Sequence, residues 1–349
     1  MNSLLQLRQS AAALDDGVLQ EMLLMRGPDQ ASLHEQAEAL TRTAFGNQVF
    51  VRGVVEISNF CRQNCHYCGM RRSRADLERY RIPLDVLCET LINRRPAYVT
   101  DINLQAGEDP KAVREIVLPL LKELRKHTKL GLSVGLGTLS PELCDELREA
   151  GATFYIIKFE TADIETYKRL EAPGKLAARL DTIRRLAATG WKVSSGFIAG
   201  LPGETVDNLV ASLKLISELP LAGSSVSPFI PGSHTPLADA PAGDLETALN
   251  CVALLRLQNP KHIIPAVSAF GNGDIAGYVR ALRSGANLTT VNLTPDEWRG
   301  NYPIYTTKRW ILDEERLTRA IDLADRQPFV SSLSDHLAKN YSSSAQHAL

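Results

Sequence analysis

Along the chain, short runs of β-branched and apolar residues alternate with longer segments whose apolar positions recur at helical spacing. Residues 3 to about 45 mix charged and apolar positions at that spacing and break at Gly27-Pro28, which predicts an N-terminal helical region. The run VFVRGVVEIS (49–58) predicts the first strand. Pro83 then opens a helix with Leu84, Leu87, Leu91 and Ile92 on one face. Further strands are expected at 97–105, 130–136, 154–160, 191–200, 223–230, 262–270 and 287–293. Helices fall between them, including KAVREIVLPLLKELRKH, PELCDELREAG stopped by Gly151, and segments near 244–257 and 274–283.

Eight strand–helix repeats of this size predict an α/β protein built as one complete (β/α)8 TIM-type barrel rather than two domains. The expected organisation is a helical extension over 1–47, the barrel over 48–293, and an irregular C-terminal extension over 294–349. Its last residues, YSSSAQHAL, read as disordered. In such barrels the chemistry sits at the C-terminal ends of the strands, so motifs just after strands carry most weight.

Composition narrows the function classes. With 44% apolar residues the 349-residue chain can bury a sizeable core, unlike a disordered or fibrous one. The 39 Lys+Arg against 40 Asp+Glu give a net charge of −1, which argues against a dedicated nucleic-acid binder. The first residues lack a long apolar core and meet Arg8, Asp15 and Asp16 early, and no stretch approaches the ~20 apolar residues of a membrane span. A cytoplasmic protein with reduced thiols is expected, without membrane or nucleic-acid partners. The six cysteines are too few and too uneven for a disulfide scaffold.

Three of them, Cys61, Cys65 and Cys68, form the spacing C-x3-C-x2-C in the loop after the first strand. Thiolates so close in sequence can converge on a soft metal centre. A structural zinc site needs four ligands, His66 is awkwardly placed between two cysteines, and the chain has no second C-x2-C pair. A [4Fe–4S] cubane held by three cysteines leaves one iron open to a cofactor or substrate.

With Tyr67 before the last cysteine, the segment resembles the C-x3-C-x-aromatic-C signature of the radical S-adenosylmethionine (SAM) superfamily. The resemblance implies that Cys61, Cys65 and Cys68 bind one [4Fe–4S] cluster, with SAM on the fourth iron. It further implies reductive cleavage of SAM to a 5′-deoxyadenosyl radical, which a closed barrel interior would protect from solvent. Three more elements resemble the family's SAM-binding motifs. Gln105-Ala-Gly107-Glu108-Asp109-Pro110 is similar to the Gly-Gly-Glu element that receives the methionine ammonium, although the same residues could form a turn entering a helix. Glu160-Thr161-Ala162 ends the fourth strand, where the family places polar groups contacting SAM; a helix N-cap is the alternative. Gly196-Phe-Ile198-Ala-Gly200-Leu-Pro-Gly203-Glu204 resembles the G-x-I-x-G-x-x-E element beside the adenine, whose glycines would let the backbone approach the ring.

From Phe50 to roughly Tyr305 the runs SNFCRQNCHYCGMRR, Arg79-Tyr80-Arg81, QAGEDP, FETAD, GLPGET, SPFIPGSHTPLA and GAN-x5-LTP resemble the HydE-type [FeFe]-hydrogenase maturases of the biotin-synthase-like group. That resemblance implies action on a small molecule or small iron-cysteine complex during assembly of the hydrogenase's di-iron subcluster, beside the other maturases. A flavodoxin- or ferredoxin-type donor would supply electrons, and Arg71, Arg72 and Arg74 could guide it, unless they form only a solvated loop. Lys158, Glu160 and Arg179 are the implied catalytic residues. Tyr67, Gly107, Glu108, Glu160, Arg179, Ile198 and Gly200 are the implied cofactor contacts.

The chain departs from the maturase pattern at Phe154, where an Arg is usual, at Gly135-Leu136 in place of Gly-Glu, and at Val267-Ser268 in place of Thr-Thr. A 3-methylornithine-synthase-like enzyme, or another enzyme of the group with a different small substrate, is the alternative. A non-catalytic iron-sulfur or zinc protein is a second. Cys88, Cys144 and Cys251 fall in predicted helices, as small buried hydrophobes do. His234 could line the cavity or simply occupy a turn, and Trp298, Tyr302 and Tyr305 could close the barrel mouth.

Overall fold

The computed structural model describes residues 15–271, 274–305 and 310–341. Seven parallel strands form one sheet in the order β6-β5-β4-β3-β2-β1-β7. They are β1 (Gln48–Ser58), β2 (Asp101–Ala106), β3 (Gly131–Gly135), β4 (Phe154–Ile156), β5 (Lys192–Ala199), β6 (Gly223–Pro228) and β7 (Leu288–Asn292). A two-residue strand, β8 (Gln327–Pro328), pairs with the first residues of β1. Helices cover the outer face, so strand residues of both parities are buried, as parallel sheets require.

The expected strand over 262–270 does not form as such. Ile263 bridges Gly223, Pro265 bridges Leu288, and residues 268–271 turn as a 3-10 helix. Pro265 has no N–H to give a ladder, and the Asn287 side chain takes the Ile264 N–H at 2.7 Å. The expected continuous eight-stranded barrel is therefore corrected to a seven-stranded parallel sheet with a bridged seam between β6 and β7.

Within the described residues, both extensions build helices onto the fold. Helices Asp16–Leu24 and Gly27–Phe45 lie against Leu245–Gln258, a helix buried on every side from Ala248 onward. A helix buried on every side needs such cover, and its polar Asn250 and Arg256 need partners inside it. Asn250 fixes the break between the two helices, donating to the carbonyls of Leu23 and Met25 at 3.0 Å each. The C-terminal segment, expected to be irregular, carries helices Asp296–Arg299, Glu314–Leu323 and Leu333–Tyr341. The predicted disordered tail lies mostly outside the described residues. Leu333 and Leu337 join Phe45, Phe50, Phe154, Ala222, Ile263 and Leu288 in an apolar cluster at the strands' N-terminal ends. Phe329 stacks on Phe50 with centroids 4.2 Å apart, and Asp101 caps the last helix by accepting from the Leu333 N–H at 2.7 Å.

Candidate active site at the carboxyl ends of the strands

β1 ends at Ser58 and the chain enters the cysteine loop, which returns antiparallel to the strand end. Ser58 bridges Arg81, and the Ile82 N–H donates to the Ile57 carbonyl at 2.9 Å. Arg81 forks onto Asp109 at 2.7 and 3.0 Å while lying 3.9 Å over the Phe60 ring. Asp109 also accepts the Ser58 hydroxyl at 2.7 Å. These contacts anchor the residue before Cys61 to β1 and to the turn after β2.

All three thiols are free, with Cys65 buried and Cys61 and Cys68 half-buried. Burial pushes each thiol up, Cys68 to about 12, and Cys61 adds to the rise at Cys65 and Cys68, as Cys68 does at Cys65. Among the described residues no three His, Cys, Asp or Glu side chains gather closely enough to hold a single metal ion. The ligands of a cubane attach to different irons and need not meet at one point. Gly107 comes so close to the loop that a Cβ there would stand 2.3 Å from the Phe60 carbonyl and 2.8 Å from Cys61 Cβ. That approach lets the Glu108 N–H donate to Cys61 Sγ at 3.4 Å, the kind of N–H···S bond that a cluster thiolate accepts. Three soft donors, no disulfide and a backbone N–H aimed at sulfur fit an iron-sulfur cluster.

Glu108 is a hub within the protein. Its carboxylate, 5% exposed, accepts from Arg62 at 3.1 Å, Gln63 at 2.6 Å, the Thr138 N–H at 2.9 Å and Arg179 at 3.2 Å. Arg179, equally buried, also donates to Thr138 Oγ1 at 2.7 Å and to the Lys158 carbonyl at 2.9 Å. Glu108 and Arg179 thus tie the cysteine loop to β3 and β4, and neither lines the cavity described next.

A cavity of about 350 Å³ occupies the inside of the sheet. Its walls are alternate residues of successive strands: Arg52, Val54 and Glu56; Asn103 and Gln105; Phe154, Ile156, Lys158 and Glu160; Ser225 and Ser227; Leu288, Thr290 and Asn292. Tyr67 and Ile198 close one side. Of the residues expected at the site, Tyr67, Lys158, Glu160 and Ile198 face this space, while Gly107, Glu108, Arg179 and Gly200 do not. Lys158 Nζ lies 3.5 Å from Glu160 Oε2. Glu160 holds a left-handed backbone with φ 69°, a strained conformation fixed by its N–H on the Gly196 carbonyl and its carbonyl on the Ile198 N–H.

The glycines of the fifth strand serve another purpose than the expected one. A Cβ at Gly196 would meet the Ser225 carbonyl at 2.0 Å, and one at Gly200 would meet Gly243 Cα at 2.4 Å. Both admit neighbouring backbone rather than opening space for a ring. Glu204 stands one place beyond the motif's spacing and accepts from the Gly200 N–H at 2.6 Å. His234 is a half-exposed turn residue, 3.3 Å from Asp76, with φ 60°. Tyr305 lines the cavity and shares a 2.6 Å hydrogen bond with Ser268, Tyr302 is buried, and Trp298 lies outside. Cys144 and Cys251 are buried in helices and Cys88 is half-buried in one.

Sequence reasoning missed Arg52, which is 7% exposed, lines the cavity, and has a buried Nε with no hydrogen-bond partner. Its Nη2 donates to Thr290 Oγ1 at 3.4 Å, and burial lowers its pKa only to about 10, so it stays charged at neutral pH. Glu56, also missed, is 2% exposed in the same wall. The available signal was two ionisable residues at the same parity of an otherwise apolar strand.

This combination of parallel sheet, three-cysteine loop and a partly open cavity with charged groups set in a mostly apolar wall is that of a radical SAM enzyme. The chain belongs to the radical SAM superfamily, whose model matches residues 55–216. The [FeFe] hydrogenase maturase subunit HydE of Thermotoga maritima is 33% identical over 318 residues, covering 89% of this chain and 91% of that one. The 3-methylornithine synthase of Methanosarcina barkeri is 27% identical over 286 residues, 81% of each chain. In structure, the methylornithine synthase PylB superposes with a TM-score of 0.83 at 24% identity, covering 93% of this chain and 96% of that one. The hydrogenase maturase HydG from Carboxydothermus hydrogenoformans gives 0.80 at 18% identity, covering 95% and 79%. These two share the fold. Members of the superfamily bind a [4Fe–4S] cluster and SAM, and Cys61, Cys65 and Cys68 carry its C-x3-C-x2-C spacing. Among the described residues no helix is long and apolar enough to cross a membrane.

Proposed function

We propose that this radical SAM enzyme is a HydE-type maturase that acts on a small, charged substrate, such as an iron-cysteine complex, in assembly of the [FeFe]-hydrogenase di-iron centre. The observation that carries the reading is the 33% identity to HydE over nearly the whole of both chains. The cavity supports it: two cations, Arg52 and Lys158, and two acids, Glu56 and Glu160, face a partly open space of about 350 Å³. Such a wall suits a small substrate bearing a carboxylate or other anion better than an apolar one. When bound, the cluster and SAM supply the 5′-deoxyadenosyl radical.

In this reading Cys61, Cys65 and Cys68 hold the cluster. Tyr67, Glu160 and Ile198 flank SAM from the cavity side, and the Gly107–Glu108 backbone meets it from the loop side. Glu108 and Arg179 hold those groups in place, Gly200 shapes the turn behind Ile198, and Lys158 faces the substrate. The seam at 262–266 acts as the eighth member of the ring, between the helical extension and the C-terminal segment. A flavodoxin- or ferredoxin-type donor in the cytoplasm provides the electron, and the other maturases take the product.

The test is complementation of a strain lacking HydE, read as hydrogenase activity. Restored activity is expected. Failure, with SAM cleavage intact in the purified enzyme, would overturn the maturase assignment but not the chemistry. Phe154 favours a second reading, because it removes a cation from the wall that the maturase pattern carries. Formation of 3-methylornithine, read by mass spectrometry, would establish that alternative.

A further inference from the structure

The neck of the cysteine loop is closed by one side chain. Arg79 Nη1 donates to the carbonyls of Asn59 at 2.5 Å and Met70 at 2.9 Å. Its Nη2 donates to the carbonyls of Arg71 at 2.7 Å and Arg74 at 3.3 Å. Asn59 precedes Cys61 and the other three follow Cys68, so one planar fork joins the two ends of the loop. Asn59 locks the fork's own backbone in return: its amide donates to the Glu78 carbonyl at 2.8 Å and accepts from the Tyr80 N–H at 2.8 Å.

The second observation is electrostatic. Four carbonyls solvate the guanidinium, but they do not cancel its charge, and among the described residues no carboxylate forms an ion pair with it. By contrast Arg62, Arg74 and Arg81 are each paired with an acid. The Arg79 charge is instead held at the neck of the loop, on carbonyls two residues before Cys61 and two residues after Cys68. A cubane with three thiolates carries net negative charge in both oxidation states and more in the reduced one. A fixed cation at the neck of the cluster loop therefore favours the reduced state.

We propose that Arg79 is a positioning residue that staples the cluster loop shut and supplies the fixed positive charge that makes the bound cluster easier to reduce. The proposal rests on Cys61, Cys65 and Cys68 holding the cluster and is independent of which substrate the cavity takes. A lysine keeps the charge without the planar fork, whereas a glutamine removes the charge.

The experiment compares wild type, Arg79→Lys and Arg79→Gln, reconstituted anaerobically and titrated with a reductant while the cluster's electron paramagnetic resonance signal is followed. In Arg79→Gln the reduced-to-oxidised ratio at a fixed solution potential should fall about tenfold, the scale of one screened unit charge. Arg79→Lys should stay near wild type. An unchanged ratio in Arg79→Gln, or an equal fall in Arg79→Lys, overturns the electrostatic role. The staple is read separately on protein without cluster, so that poor loading cannot obscure it. Both variants should be cut faster by trypsin at Arg71–Arg74, with an unchanged thermal midpoint. Cleavage at the wild-type rate in both would overturn the staple.

Discussion

Single side chains at this site divide by what they touch. Burial, Cys68, Glu160 and Cys61 raise the Cys65 thiol pKa and outweigh the Tyr67 hydrogen bond that lowers it, so a cationic centre beside it is what stabilises the thiolate. Cys65→Ala should abolish cluster loading, measured as iron per chain, and with it 5′-deoxyadenosine formation. Cys144→Ala, a change in a buried helix position, should leave both intact. Arg52 makes a different prediction. Its Nε is buried without a partner, and an anionic substrate group would relieve that cost. Arg52→Gln should raise the KM for the substrate by about 10- to 100-fold, the ~1–3 kcal/mol of a charge-assisted hydrogen bond. Formation of 5′-deoxyadenosine in the absence of substrate should be unchanged, since Arg52 touches none of the loop residues. Equal loss of both activities would refute a substrate role.

Elements impose their own constraints. The seam between β6 and β7 contains His262, whose pKa is depressed to about 4 by burial and by the nearby Arg256 guanidinium. Unfolded, the same imidazole titrates near 6.5, so the unfolded state binds the extra proton between the two values. Stability is therefore fully present above about pH 6.5 and falls as the pH drops toward 4, by about 3 kcal/mol. Denaturant titrations at pH 7.5 and 5 should show the loss, and His262→Gln should flatten it. The last helix depends on Asp101, which accepts the Leu333 N–H at the foot of β2. Asp101→Ala should cost about 1 kcal/mol of helix stability and speed amide exchange over 333–341, with the sheet still protected. Uniform acceleration across the protein would show that the cap does more than hold one helix.

How legible these elements were depended on the kind of signal each carried. The strands with alternating β-branched residues, β1 and β5 above all, lie within two residues of their expected limits. The fourth was read through 160, yet β4 ends at Ile156 because the chain rises into the strained turn at Glu160. The 262–270 run was read as a strand on its apolar composition, and Pro265 together with Asn287 broke its ladder. Motif residues were legible because their spacing is local. Arg52 and Glu56 were not, because only the closure of the sheet makes one face of β1 an interior.

At the scale of the molecule, the site is an attachment to a frame that stands without it. Most of the apolar core lies between the sheet and its helices, and the cysteine loop beyond the strand ends adds only its edge, with Met70, Leu77 and Tyr80 packed there. Oxidative removal of the cluster should leave the far-ultraviolet circular dichroism unchanged while exposing the 59–82 loop to protease. Global unfolding on cluster loss would contradict this separation. The opposite end is sealed by the C-terminal segment, whose Leu333 and Leu337 pack beneath Phe50 and Phe154. The cavity is thus closed at its foot by apolar residues, and above them Arg52, Glu56, Lys158 and Glu160 stand in an otherwise largely apolar wall. That arrangement excludes water from below and leaves the cofactor end as the way in.

By itself the sequence determined the chemistry of the loop and the identity of the frame. Three cysteines within eight residues, an aromatic beside the last, and repeated strand–helix periods are all local patterns, set by spacing along the chain. Only the tertiary structure decided which polar groups meet. Glu108 and Arg179, apart in sequence, form a buried ion pair at 3.2 Å behind the loop instead of facing the cavity. Arg79 bridges both ends of the loop, and Arg52 points inward beside Thr290. The reason is physical: a buried charge takes its partners from whatever the packing brings within hydrogen-bond reach, and one-dimensional spacing carries no record of that distance.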